Sequence, residues 1–70
     1  MPMYRFALHH GAVEIEELGF MKLLDDAEAV DFAKQIIHDM PEEDRIQGDG
    51  CAVDITDGKR LVGRIRCGAD

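Results

Sequence analysis

At 70 residues the chain is held to one small domain with a thin core, because a chain of this size buries only about 60% of the surface that its unfolded form exposes. Its 46% hydrophobic and 33% charged residues exclude a disordered chain, and its net charge of −7 opposes non-specific binding to a phosphate backbone. The start Met1-Pro2-Met3-Tyr4 lacks the basic and apolar regions of a signal peptide, and no apolar run approaches the roughly 20 residues of a membrane helix, so the expectation is a cytoplasmic protein without a membrane.

Residues 3 to 9 alternate, with Tyr4, Phe6 and Leu8 on one side and Met3, Arg5, Ala7 and His9 on the other, which predicts a half-buried strand. Gly11 marks a turn, and Val13 and Ile15 alternating with Glu14 and Glu16 predict a short second strand returning beside the first. The stretch from Glu17 to Leu24 is interrupted by Gly19 and reads as a connector beneath a helix. That helix is predicted from Asp25 to Met40: Ala29, Val30, Ala33, Ile36, Ile37 and Met40 form one stripe at about 100° per residue, opposite Glu28, Asp31, Lys34, Gln35, His38 and Asp39. Asp25 with Glu28 three residues on predicts a capping box, with Leu24 stapled onto Ala29, and Pro41 predicts the end of the helix.

Pro41 to Gly50 reads as a polar loop anchored by Ile46. A third strand follows, with Cys51, Val53 and Ile55 on one side and Ala52, Asp54 and Thr56 on the other. Thr56-Asp57-Gly58-Lys59 is a hairpin signal. The fourth strand is predicted to put Leu61, Gly63, Ile65 and Cys67 inward and Val62, Arg64 and Arg66 outward. The expected fold is therefore α+β: an antiparallel sheet of three or four strands with one amphipathic helix packed on one face, in the order β-β-α-β-β.

The opening Met1-Pro2-Met3-Tyr4-Arg5-Phe6, the acidic approach to Gly19, the Leu24-Asp25 helix entry with Glu28-Ala29 and Ala33, and the closing Val53-Asp54-Ile55-Thr56-Asp57 together cover nearly the whole chain. In that order and spacing they resemble a family of short alpha-proteobacterial proteins classed as a domain of unknown function. The chain departs from the family pattern where Glu16-Glu17-Leu18 precedes Gly19 in place of an Asp, and where Leu24 replaces a common Pro. The resemblance implies a bacterial single-domain protein and no activity or catalytic residues.

Nothing in the residues favours catalysis. The acid clusters Glu14-Glu16-Glu17 and Glu42-Glu43-Asp44 read as solvated turns, and so short a chain leaves little room for a pocket of the usual roughly 300 Å³ or more. His9, His10, His38, Cys51 and Cys67 are the soft metal ligands, yet no CxxC or HxxxH spacing joins them, so no metal and no cofactor are predicted. The two cysteines read as reduced thiols, although pairing of the last two strands would make them a redox pair. Lys59, Arg60, Arg64 and Arg66 make the last hairpin basic, because residues 45 to 70 hold four of the 15 acids and five of the 8 bases. That hairpin is a possible nucleic-acid contact, weighed against cross-strand ion pairs with Asp54 and Asp57 that explain the same residues.

The reading is a non-catalytic interaction module that self-associates as a homodimer, with Arg5, Asp54, Val62, Arg64 and Arg66 as the candidate interaction face. The alternatives are a small nucleic-acid regulator and a metal or thiol redox protein.

Overall fold

A computed structural model describes residues 1–40 and 51–67, and the loop expected over Pro41 to Gly50, with its anchor Ile46, lies outside the described residues. The first strand, β1 (Met3–His10), alternates as its sequence predicts: Tyr4, Phe6 and Leu8 are buried. It turns at Gly11-Ala12, where Gly11 adopts φ 63, a conformation open to a residue without a Cβ. β2 (Val13–Lys22) then runs antiparallel to β1 over its whole length, from His10↔Val13 to Met3↔Lys22.

The connector expected at Glu17 to Leu24 is therefore largely strand. Its simple alternation is broken by two register shifts opposite Phe6/Ala7 and Leu8/His9, which leave Leu18 and Ile15 as extra residues on β2. Gly19, read as an interruption, lies within the strand at φ 137 opposite Phe6. The same correction applies to Glu14, Glu16 and Glu17, which lie on this strand rather than on a turn.

The helix, α1 (Asp26–Asp39), starts where the sequence marks it. Asp25 is the N-cap and its Oδ1 accepts from the Glu28 N–H at 2.9 Å, while Glu28 Oε1 accepts from the Leu24 N–H at 3.0 Å. Leu24 itself is 67% exposed and does not serve as the expected staple; Leu23 packs against the core instead. Met40, which precedes proline, caps the C-terminus in extended geometry (φ −70, ψ 137).

Ala29 and Ala33, one turn apart and both fully buried, let the helix lie close on the sheet, with Ile37 continuing the stripe. Phe32, which the stripe omitted, packs at its side, its ring meeting Phe6 edge-on at 5.1 Å between centroids. β3 (Cys51–Asp57) and β4 (Arg60–Arg66) complete one four-stranded antiparallel sheet in the order β2-β1-β3-β4. The observed order of elements is β-β-α-β-β, as predicted. The core lies between the helix and one sheet face: Tyr4, Phe6, Leu8, Ala29, Ala33, Ile37, Cys51, Val53 and Ile55. Each large side chain fully buried there contributes about 1.5–3 kcal/mol.

Candidate functional site

The sheet's other face is covered by no described element. Three rows of side chains cross it, set by the strand register: Phe20, Arg5, Thr56 and Leu61; then Glu17, Ala7, Asp54 and Arg64; then Glu14, His9, Ala52 and Arg66. Four of the five residues expected to form the interaction face stand in these rows.

Val62 does not. A register shift at Ile55/Thr56 makes it the extra residue of a bulge in β4, and its side chain packs against the core. The same shift turns Leu61, expected inward, to the outer face, where it is 57% exposed. The hairpin turn moves with it. Asp57 pairs with Arg60, so the two turn residues are Gly58 and Lys59, with Gly58 at φ 65, rather than Asp57 and Gly58.

The outer face carries two ionic clusters. Arg5 lies across β1 to β2, donating from Nε to Glu17 at 2.7 Å and from Nη2 to Glu14 at 2.6 Å. These two hydrogen bonds hold the guanidinium pKa above its ordinary value, and the one from Arg5 is the main reason the Glu14 carboxyl lies below its own. On the other side Arg64 clasps Asp54 through two bonds, 2.6 and 2.9 Å, in the planar fork geometry of a guanidinium on a carboxylate. In the same rows Ala7 and Ala52 are each 1% exposed and Asp54 is 7% exposed.

His9 sits between the two clusters. Its Nε2 is 3.6 Å from Asp54 and 3.8 Å from Glu14, too far for a hydrogen bond, and its Nδ1 is buried with no partner among the described residues. Arg66 makes no hydrogen bond or ion pair among the described residues.

A second polar cluster fastens the helix to the sheet. Tyr4 donates its hydroxyl to Asp26 at 2.8 Å, and Arg60 donates to both oxygens of Asp26 at 3.1 Å and to Asp57 at 3.2 Å. Burial first, then the neighbouring carboxylate, pushes the Tyr4 pKa up to about 12. Arg60, then Tyr4, holds the Asp26 carboxyl below its ordinary value. Arg60 is thereby an anchor of the fold, one of the basic hairpin residues tied within the chain.

Between β2 and the C-terminal end of α1 lies an open groove of about 990 Å³ with Leu8, Val13, Ile15, Leu18, Ile36 and Met40 along its walls. A chain this short therefore does have room for a concave surface, contrary to expectation. Its polar margin consists of His10, Glu16, Asp39 and Cys51, and no hydrogen bond among the described residues joins any two of these. Asp39 instead accepts from Gln35 and lies 3.4 Å from His38, which lower its pKa in that order. No group of three or more potential ligands among the described residues is placed to hold a metal ion.

Cys51 belongs to the core and Cys67 packs against it; the Cys67 N–H donates to the Cys51 carbonyl at 2.8 Å, so the two residues stand opposite each other where the chain leaves β4. Among the described residues no helix is long and apolar enough to cross a membrane. Compared with known proteins, the chain matches no family model, no curated protein and no solved structure.

Proposed function

We propose that this domain is a non-catalytic protein-interaction module of the bacterial cytoplasm that self-associates through the outer face of its sheet. One observation carries the reading: the face is crossed from an acidic edge to a basic edge. Over the three rows that span all four strands, Glu14 and Glu17 on β2 carry two negative charges against the single positive charge of Arg5, while Arg64 and Arg66 on β4 carry two positive charges against the single negative charge of Asp54; Lys22 on β2 stands one row beyond them. A surface acidic on one side and basic on the other is complementary to itself turned round, which is what an isologous dimer requires. A small domain with a thin core also gains from a second buried surface.

Native mass spectrometry and light scattering across a dilution series test this. A dimer that dissociates on dilution, and at lower concentration in high salt, is the expected result. A monomer at every concentration rejects it.

The nucleic-acid alternative has less to stand on, since Arg60 and Arg64 already have carboxylate partners in the chain. The thiol alternative is favoured by the facing positions of Cys51 and Cys67. Hydrogen-bonded partners across an antiparallel pair have Cα atoms about 5.5 Å apart, within the range that a disulfide spans. Equilibration with oxidised glutathione, followed by alkylation and mass measurement, tests that reading: a mass 2 Da lower by loss of about two hydrogens supports it, and two alkylated thiols at every ratio reject it.

A further inference from the structure

The outer face carries more than a charge gradient: its three rows are ordered so that one symmetry operation matches all of them. Consider a second copy laid face to face with the first and related to it by a two-fold axis parallel to the strands, lying between β1 and β3. The operation leaves each row at its own level along the strands and exchanges the edges, so the partner's β4 comes over β2. Phe20 then meets the partner's Leu61, Glu17 meets the partner's Arg64, and Glu14 meets the partner's Arg66, each contact occurring twice.

The pairing is apolar with apolar in the first row and acid with base in the other two. Phe20 and Leu61 are each 57% exposed, at opposite edges of the sheet and about three strand spacings, or about 14 Å, apart, so neither covers the other within one chain. Arg66, which has no ion pair among the described residues, gains one with Glu14. The row beyond, Met3 and Lys22, lies past the end of β4 and faces only the Gly58-Lys59 turn, so the matched contacts stop at Phe20 and Leu61. Edge-to-edge addition of two β2 strands makes poorer use of these residues, because it brings Glu14, Glu16 and Glu17 of both copies to one seam.

From this register we infer that the partner on the outer face is a second copy of this chain, docked as a two-fold sheet-on-sheet sandwich. Its contacts are Phe20 on the partner's Leu61, Glu17 on the partner's Arg64 and Glu14 on the partner's Arg66. The small side chains of Ala7 and Ala52 at the middle of the face permit the roughly 10 Å spacing of packed sheets, and an aligned arrangement, with the mean strand directions of the two layers close to parallel, is a common one for such layers.

The inference rests on the self-association proposed above, and a charge exchange separates the two. Arg66→Glu and Glu14→Lys, each alone, set like charges against each other in both copies of the outer row, and each is expected to weaken the dimer on the order of tenfold, about 1.4 kcal/mol. Mixed one to one, the two variants restore both contacts in the heterodimer alone. Native mass spectrometry of the mixture should show the heterodimer well above the half share of all dimers that random pairing gives. Circular dichroism melting checks that both variants fold.

A mixture of Phe20→Cys and Leu61→Cys chains treated with a short bismaleimide gives the positional readout. The expected product is a dimer linked between positions 20 and 61. Links of 20 to 20 or 61 to 61, or a statistical mixture of charge variants, overturn the two-fold geometry while leaving self-association standing. A wild-type protein that stays monomeric overturns both.

Discussion

The two faces of the sheet are built from the same four strands and exclude water in different ways. On the helix side, Phe6, Val53 and Ile55 are buried by apolar neighbours drawn from the sheet and the helix. On the other side, Ala7 and Ala52 are equally buried with no described element lying on them, and Arg5 and Arg64 are paired with carboxylates on adjacent strands. Small side chains there lie low among long ones whose charges are paired at the surface. The comparison teaches that one face stores most of the folding free energy, while the other keeps backbone dry at little cost and stays available for a partner.

The sharpest way to break the comparison is to truncate each face in turn. Phe6→Ala removes a fully buried ring together with its contact to Phe32, and it is expected to cost about 3–5 kcal/mol in urea unfolding, enough to leave a domain this small largely unfolded. Asp54→Ala, at the centre of the opposite face, is expected to cost less, about 1–3 kcal/mol, because its lost hydrogen bonds are partly replaced by water reaching the opened site. Equal costs would mean that the ionic layer is as much a core as the apolar one.

Titration refines the contrast at the helix fastening. The folded protein holds the Tyr4 proton more tightly than the unfolded chain does, so the associated stability is complete below pH 10 and is lost as pH rises through about 12. Asp26 and Glu14 behave in the opposite sense. Their carboxyls are held below the ordinary values of 3.8 and 4.5, so their contribution is present above those values and is lost as pH falls through the lower folded ones. Melting temperature against pH should therefore fall at both ends, and Tyr4→Phe should flatten the alkaline limb and, to a smaller extent, the acid limb, because Arg60 still supports the Asp26 carboxylate. Both limbs should shrink in high salt where the groups are exposed.

The smallest effect is expected for Arg66→Ala. At dilutions where the protein is monomeric it should change stability by no more than about 0.5 kcal/mol, since the side chain is exposed and has no hydrogen bond or ion pair among the described residues. At concentrations where the protein is dimeric, the same substitution should lower the melting temperature. Only the second effect depends on a partner.

What could be read from the residues beforehand divides along the same line. β1, α1 with its Asp25 cap and the core half of β3 follow from uninterrupted periodicity: the apolar residues assigned inward on the two strands are buried, although Ala7, Ala52 and Asp54 of the opposite parity are buried as well. The second half of β2 did not, because the extra residues at Ile15 and Leu18 break a strict alternation and Gly19 resembles a stop. Val62 and Leu61 exchanged faces for the same reason. Parity puts Arg5, His9, Asp54, Arg64 and Arg66 on the outer face, whereas it does not show that Glu14 and Glu17 stand beside them. Parity within one strand says nothing of register between strands. The contact of Phe32 with Phe6 was missed too, since the helix stripe was drawn narrower than the sheet it covers.

The bulge at Val62 has a consequence for how this chain can vary over evolutionary time. It acts as a one-residue phase shift in the inside-outside pattern of β4: residues on its C-terminal side, Ile65 among them, keep the pairing that suits the core, while Leu61 on its turn side is carried to the surface. A homologue lacking residue 62 would keep a regular hairpin with Thr56 still opposite Leu61, so the exposed apolar contact would survive and only the Val62 side chain would be lost from the core. The surface contact is therefore insensitive to a one-residue deletion here, and the cost of such a deletion falls on the core alone.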